Sequence, residues 1–188
     1  MEDERKLAES FDGARIELTD QCLLYMEELD RRATRRPVLT KIAGLDRLLH
    51  GLRQGELTTI AARPGVGKSA FCLQIAESAS AQGKKVLFFA LEMTMYELLD
   101  RLVIRKTSIS PSKLHNGSAS FDEQEAQEFS AILDGDLKKF TDLVRIETNV
   151  SNIDLFKGII KQVEPDLVIV DQLSCIRPTQ NFHHIRER

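Results

Sequence analysis

The chain has 188 residues, of which 42% are hydrophobic and 29% charged, and a net charge of −3. That is ordinary for a soluble globular protein with enough length for one sizeable core, and bulk charge does not announce a nucleic-acid binder, a role that would need a local basic surface. Three scattered cysteines, Cys22, Cys72 and Cys175, have no metal spacing and fit a reducing compartment better than a disulfide scaffold.

The N-terminus, Met1-Glu2-Asp3-Glu4-Arg5, is charged and lacks the apolar core of a secretion signal. No apolar run approaches the roughly 20 residues of a membrane span. The expectation is a cytoplasmic protein with no membrane partner. Residues 1 to 13 read as a polar, poorly ordered tail.

A helix is predicted from Ala14 to Ala33, with Leu18, Cys22, Tyr25 and Leu29 on one apolar stripe. The stripe could pack on its own domain or on a neighbouring copy. Arg31-Arg32-Ala33-Thr34-Arg35-Arg36-Pro37 then reads as a basic linker. The expected division is 1–37, tail and linker helix, and 38–188, the main domain. A short helix and a turn follow around Gly44-Leu45-Asp46-Arg47-Leu48.

Leu57 to Ala61 is an apolar run that reads as a buried strand, and Phe71 to Ser80 is helical in pattern. Between them lies Ala62-Arg63-Pro64-Gly65-Val66-Gly67-Lys68-Ser69. Strand, glycine-rich loop, Lys-Ser and helix together make a phosphate-binding loop. Backbone N–H groups of such a loop point inward at phosphate oxygens, where a Cβ would crowd them, and the helix N-terminus adds its positive dipole end. Lys68 is expected on the β- and γ-phosphates of ATP, and Ser69 on Mg2+. One position departs from G-x-x-x-x-G-K-[ST]: Ala62 stands where the first Gly is usual.

Val86 to Ala90 is a continuous apolar run, as in a parallel strand covered on both faces. Glu92 lies just past its carboxyl end, where a carboxylate can deprotonate an attacking water. Alternatively, Glu92 sits in the first turn of the next helix and complements its dipole. That helix is predicted from Met95 to Thr107. Arg101, Arg105 and Lys106 read as a solvated basic face. Ser120 with Glu123 is a capping-box signature, opening a helix with Ala126, Phe129, Ile132 and Leu133 on one face. Leu143 to Ile146 is a short strand. Ser151 with Asp154 caps a helix whose apolar face is Ile153, Phe156, Ile159, Ile160 and Val163, closed by Pro165. Leu167 to Val170 is a third apolar strand ending in Asp171, a second candidate for Mg2+. Strands alternating with helices predict a mostly parallel α/β sheet, doubly wound, of the P-loop class.

Four stretches resemble the RecA-like motor domain of replicative hexameric DNA helicases of the DnaB type. They are Gly44-Leu45-Asp46-Arg47-Leu48 running on to Gly55-Glu56-Leu57; Ala61-Ala62-Arg63-Pro64 through Gly67-Lys68-Ser69; Leu91-Glu92-Met93; and Val170-Asp171-Gln172-Leu173. In that family Ala commonly replaces the first loop Gly, so Ala62 supports the likeness. Gln172-Leu173-Ser174 departs from the family's D-Y-L-Q-L but leaves Asp171 intact.

The resemblance implies an ATP hydrolase with Glu92 as its catalytic glutamate and ATP and Mg2+ as cofactors. It implies hydrolysis at subunit interfaces of a hexameric ring that translocates on single-stranded DNA, with primase and a helicase loader as further partners. The helix from Ala14 to Ala33 is similar in placement to the family's linker helix, which docks on the adjacent subunit. The family continues past its metal-binding Asp with a strand carrying a phosphate-sensing Gln, DNA-binding loops and a trans-acting Arg finger. That next strand lies between the P-loop strand and the strand ending in Asp171. Seventeen residues follow Asp171 here, so the expectation is a domain incomplete at its C-terminal side that hydrolyses ATP poorly alone. Two other readings share Lys68, Ser69, Glu92 and Asp171: a regulatory or recombination ATPase of the RecA type, and a nucleotide-binding module without turnover.

Overall fold

A computed structural model describes residues 18–177. The predicted N-terminal tail lies outside them. The chain divides after Arg36 into two units, each described by itself.

In the first unit, α1 runs Leu18–Thr34. Cys22, Tyr25 and Leu29 of the predicted stripe are all solvent-exposed, as is Met26. Ion pairs from Arg31 to Glu27 and Arg32 to Glu28, one turn apart, line another face.

The second unit contains α2 (Ala43–Leu49), α3 (Lys68–Ala81), β1 (Val86–Ala90), α4 (Met95–Lys106), α5 (Pro111–Asn116), α6 (Glu123–Ile132), α7 (Lys138–Leu143), β2 (Val144–Thr148), α8 (Ile153–Val163) and β3 (Leu167–Asp171). The strands form a parallel sheet in the order β2-β1-β3. All five residues of the central strand are buried, as its unbroken apolar run requires.

Alternation along β1 feeds two cores. Val86, Phe88 and Ala90 face Leu73, Ile75, Ala76 and Ala79 of α3 and Leu98 and Leu102 of α4. Leu87 and Phe89 face Phe156 of α8, with Ile159, Ile160 and Val163 packed around them. Phe89 stacks on Phe156 with ring centroids 4.0 Å apart. Helices therefore cover both faces, as predicted.

Three local readings are corrected. The predicted strand Leu57–Ala61 has no ladder partner among the described residues, and Leu57 is 88% exposed. It does not pair with the open outer edge of β3, and an unpaired run stays in water. The cap of α6 is Asp122, which forms a full capping box with Glu125. Ser120 instead belongs to the 3-10 turn Ser118–Ser120, where its hydroxyl donates to the carbonyls of Lys113 and Gly117. The shifted start also turns the face: Ile132 is buried, whereas Ala126 and Leu133 are exposed. Likewise Asn152, rather than Ser151, caps α8 by accepting from the Asp154 N–H at 2.7 Å.

Candidate nucleotide site

The site candidates meet at the carboxyl edge of the sheet. α3 begins at Lys68, three residues before its apolar pattern does, so Lys68 and Ser69 occupy its first turn. Gly67 precedes it at φ 106° and Gly65 lies at φ 78°, backbone that side-chain-bearing residues rarely adopt. The loop 62–67 is exposed throughout. No side chain caps α3, so its first N–H groups retain their donor capacity toward the loop. Lys68 folds back over the loop, its Nζ donating to the carbonyls of Ala62 at 3.3 Å and Arg63 at 3.5 Å.

Asp171 ends β3 in register with Ala90 at the end of β1. It is only 4% exposed, and its Oδ2 is buried without a hydrogen-bond partner. A buried carboxylate oxygen left unpaired is costly, and a cation is the natural complement. The observation fits a metal at this edge, with Asp171 and Ser69 as the chain's oxygen donors.

The register carries one step further. Leu91 N–H donates to the Asp171 carbonyl at 2.7 Å, so Glu92 leaves the sheet directly beside Asp171. Glu92 is exposed and precedes α4 rather than lying in its first turn. Thr94 caps that helix, and Glu97 is the acid that completes the capping box. The dipole alternative for Glu92 therefore loses its structural basis, because Glu97 already fills that role.

Cys72 was not expected at this edge. It sits one turn along α3 from Lys68, buried, and burial pushes its thiol up to about 11. The Asp171 carboxylate pushes the same way and Lys68 opposes it, so the two charges flank this thiol. Its one signal in the sequence was the four-residue spacing from Lys68, which puts both on one helix face.

The far end of α3 and the segment before α2 are also held. The Gln82 side chain of the α3 C-cap accepts from Leu39 N–H at 3.1 Å and donates to Leu39 C=O at 2.8 Å. Asp46 accepts from the backbone of Thr40 and Lys41 and from the Thr40 hydroxyl. Burial opposes ionisation of Asp46, but those bonds hold its carboxyl below the usual range.

Residues 37–188 match the family described as DnaB-like helicase C terminal domain. The chain belongs to that family. A probable replicative DNA helicase of Guillardia theta is 31% identical over 156 residues, covering 80% of this chain and 26% of that protein. The replicative DNA helicase DnaB of Haemophilus influenzae is 28% identical over 119 residues, covering 63% of this chain and 25% of that protein. The chain thus spans about a quarter of the length of these relatives. A solved DnaB-like replicative helicase, studied for its interactions with primase, shares the fold with a TM-score of 0.72 at 21% identity, covering 93% of this chain and 43% of that one. Among the described residues no helix is long and apolar enough to cross a membrane.

Proposed function

We propose that this chain is the ATP-binding part of a replicative DNA helicase motor. The observation that carries the reading is the buried, unpartnered Oδ2 of Asp171 at the same sheet edge as the uncapped start of α3. In this reading the loop from Ala62 through Arg63, Pro64, Gly65, Val66 and Gly67 wraps the phosphates of ATP with its N–H groups. Lys68 leaves the Ala62 and Arg63 carbonyls and moves onto the β- and γ-phosphates. Ser69 and Asp171 hold Mg2+, which neutralises charge on the transferring phosphoryl group. Glu92 orients a water toward the γ-phosphate and takes its proton.

The family resemblance supplies the rest of the proposal. Copies assemble into a hexameric ring with the exposed stripe of α1 on a neighbour. Each site is completed by an arginine from the adjacent subunit, and turnover drives single-stranded DNA through the ring, with primase and a loader as further partners. A supplied arginine of this kind contributes about 10³ or more in rate. Nucleotide binding without turnover is the second reading, favoured by the exposed, unpaired course of Leu57–Ala61.

A fluorescent ATP analogue and a phosphate-release assay test both. Lys68→Ala should lose analogue binding, and Glu92→Gln should bind normally while turnover disappears. Unchanged binding in Lys68→Ala sinks the site. Normal turnover in Glu92→Gln removes Glu92 from the chemistry, and binding without any turnover in the parent chain selects the second reading.

A further inference from the structure

The residues that join α3 to α4 do so far from the loop, in one cluster of charges. Glu77 lies in the C-terminal half of α3, with its side chain only 17% exposed. Its carboxylate pairs with Arg105 and, at 3.4 Å, with Lys106, both in the last turn of α4. Lys106 also donates to Asp136 at 2.6 Å. Asp136 belongs to the π-helical turn Leu133–Leu137 that joins α6 to α7. Beneath these charges Leu102 and Phe140 are buried in the core.

The two helices held here are the two that deliver the site. α3 carries Lys68 and Ser69 at its first turn, and α4 starts three residues after Glu92. Each helix is a stiff rod that rises about 1.5 Å per residue. Leu98 and Leu102 of α4 already share a core with α3; the Glu77–Arg105 pair adds a second anchor at the far end, and two anchors set the crossing angle and with it the gap between the N-terminal ends. Apolar contacts between helices tolerate sliding and rotation of this kind, whereas a paired carboxylate with two cations on it has one geometry. The π turn is part of the device, since it sets the position of Asp136 against Lys106 and holds that cation beside Glu77.

We propose that Glu77 is a positioning residue for the ATPase site, whose pairing with Arg105 and Lys106 sets the angle between α3 and α4 and so the spacing of Lys68 from Glu92. The role rests on the function proposed above. It assigns Glu77 no contact with the nucleotide.

The test separates geometry from stability. Spin labels at the exposed positions Ala81 and Tyr96, in a background lacking Cys22, Cys72 and Cys175, report the angle without any need for turnover. Glu77→Gln and Arg105→Ala should each broaden or shift the distance distribution. In the parent background the same variants should lower the turnover number at saturating ATP roughly tenfold, because small misplacements of reacting groups are expensive. Affinity for the ATP analogue should stay unchanged. Asp122→Ala, which weakens the fold at α6 away from the cluster, should leave both the distances and the turnover number alone. An unmoved distance distribution in Glu77→Gln overturns the role of Glu77. An equal fall of turnover in Asp122→Ala overturns it as well, by showing that lost stability alone accounts for the effect. Absence of turnover in the parent chain overturns instead the function on which it rests.

Discussion

Two runs of five residues, Leu57–Ala61 and Val86–Ala90, read alike in the sequence and fold oppositely. The second is the central strand, with every residue buried. The first is irregular, with Leu57 88% and Ile60 37% exposed. Composition accounts for part of this difference, since the first run carries Thr58 and Thr59 where the second is apolar throughout, but both are rich in residues that suit strands. What differs is the edge each run can reach. Val86–Ala90 pairs with β2 on one side and β3 on the other, and helices cover both its faces. Apolar character brings a segment toward a core, but hydrogen-bonding partners decide whether its backbone can stay there.

The sharpest way to break this comparison is to truncate one residue in each run. Phe88 is fully buried between α3 and α4. Phe88→Ala should cost about 3–5 kcal/mol in urea denaturation, the usual range for a large core side chain. Leu57→Ala should stay within about 0.5 kcal/mol, as exposed substitutions do. A comparable loss in Leu57→Ala would show that this run is packed in solution and that the contrast between the two is false.

A smaller effect, of opposite sign, is expected where the core meets the site. Asp171 closes β3, which pairs with β1 along its full length, yet its Oδ2 finds no partner. The residue therefore weakens the fold at the point where a cation would be held. Asp171→Asn should raise stability by about 1–3 kcal/mol in thermal melts without divalent ions, by removing a buried unpaired charge. The same variant should lose the stabilisation that Mg2+ and ATP together give the parent chain, which follows mass action. A destabilised Asn variant would mean that the carboxylate has a partner in solution and that the site is not poised for a cation.

How much of this was legible depends on the range of the interaction. Val86–Ala90 and Leu167–Asp171 were readable because an unbroken apolar run has few alternatives in an α/β chain. The face Phe156, Ile159, Ile160 and Val163 was readable because its period is local. Lys68, Ser69 and Asp171 followed from spacing and from the rule that such sheets bind ligands at their carboxyl edge. The caps were not separable in this way. Ser120 and Asp122 each stand three residues before a Glu, and the choice fell to Asp122 because Ser120 is taken up in the 3-10 turn Ser118–Ser120. Arg105 and Lys106 read as a solvated face because their partners, Glu77 and Asp136, are about thirty residues away on either side. The fate of Leu57–Ala61 was least legible, since it depends on an edge that only the assembled sheet defines.

The smallest effect concerns the cap that the local signal misplaced. Asp122 accepts the Glu125 N–H at 2.9 Å, and its carboxyl is held below the usual range by that bond first, against the cost of burial, with Lys113 assisting. A carboxyl lowered in the folded state adds stability that is fully present above its unfolded value. That contribution is lost as pH falls through the folded value, which lies below the ordinary carboxylate value. Asp122→Ala should therefore lower the denaturation midpoint at neutral pH, and its curve should converge on the parent's as the medium becomes more acidic than that. Asp122→Asn keeps a capping oxygen without a titrating carboxyl, so it should retain most of the midpoint and show a flatter acid limb. If instead Ser120→Ala proves the costlier substitution at neutral pH and leaves the acid limb unchanged, the helix starts where the local pattern placed it. The contrast between short-range signals and the contacts that overrule them would then fail at this position.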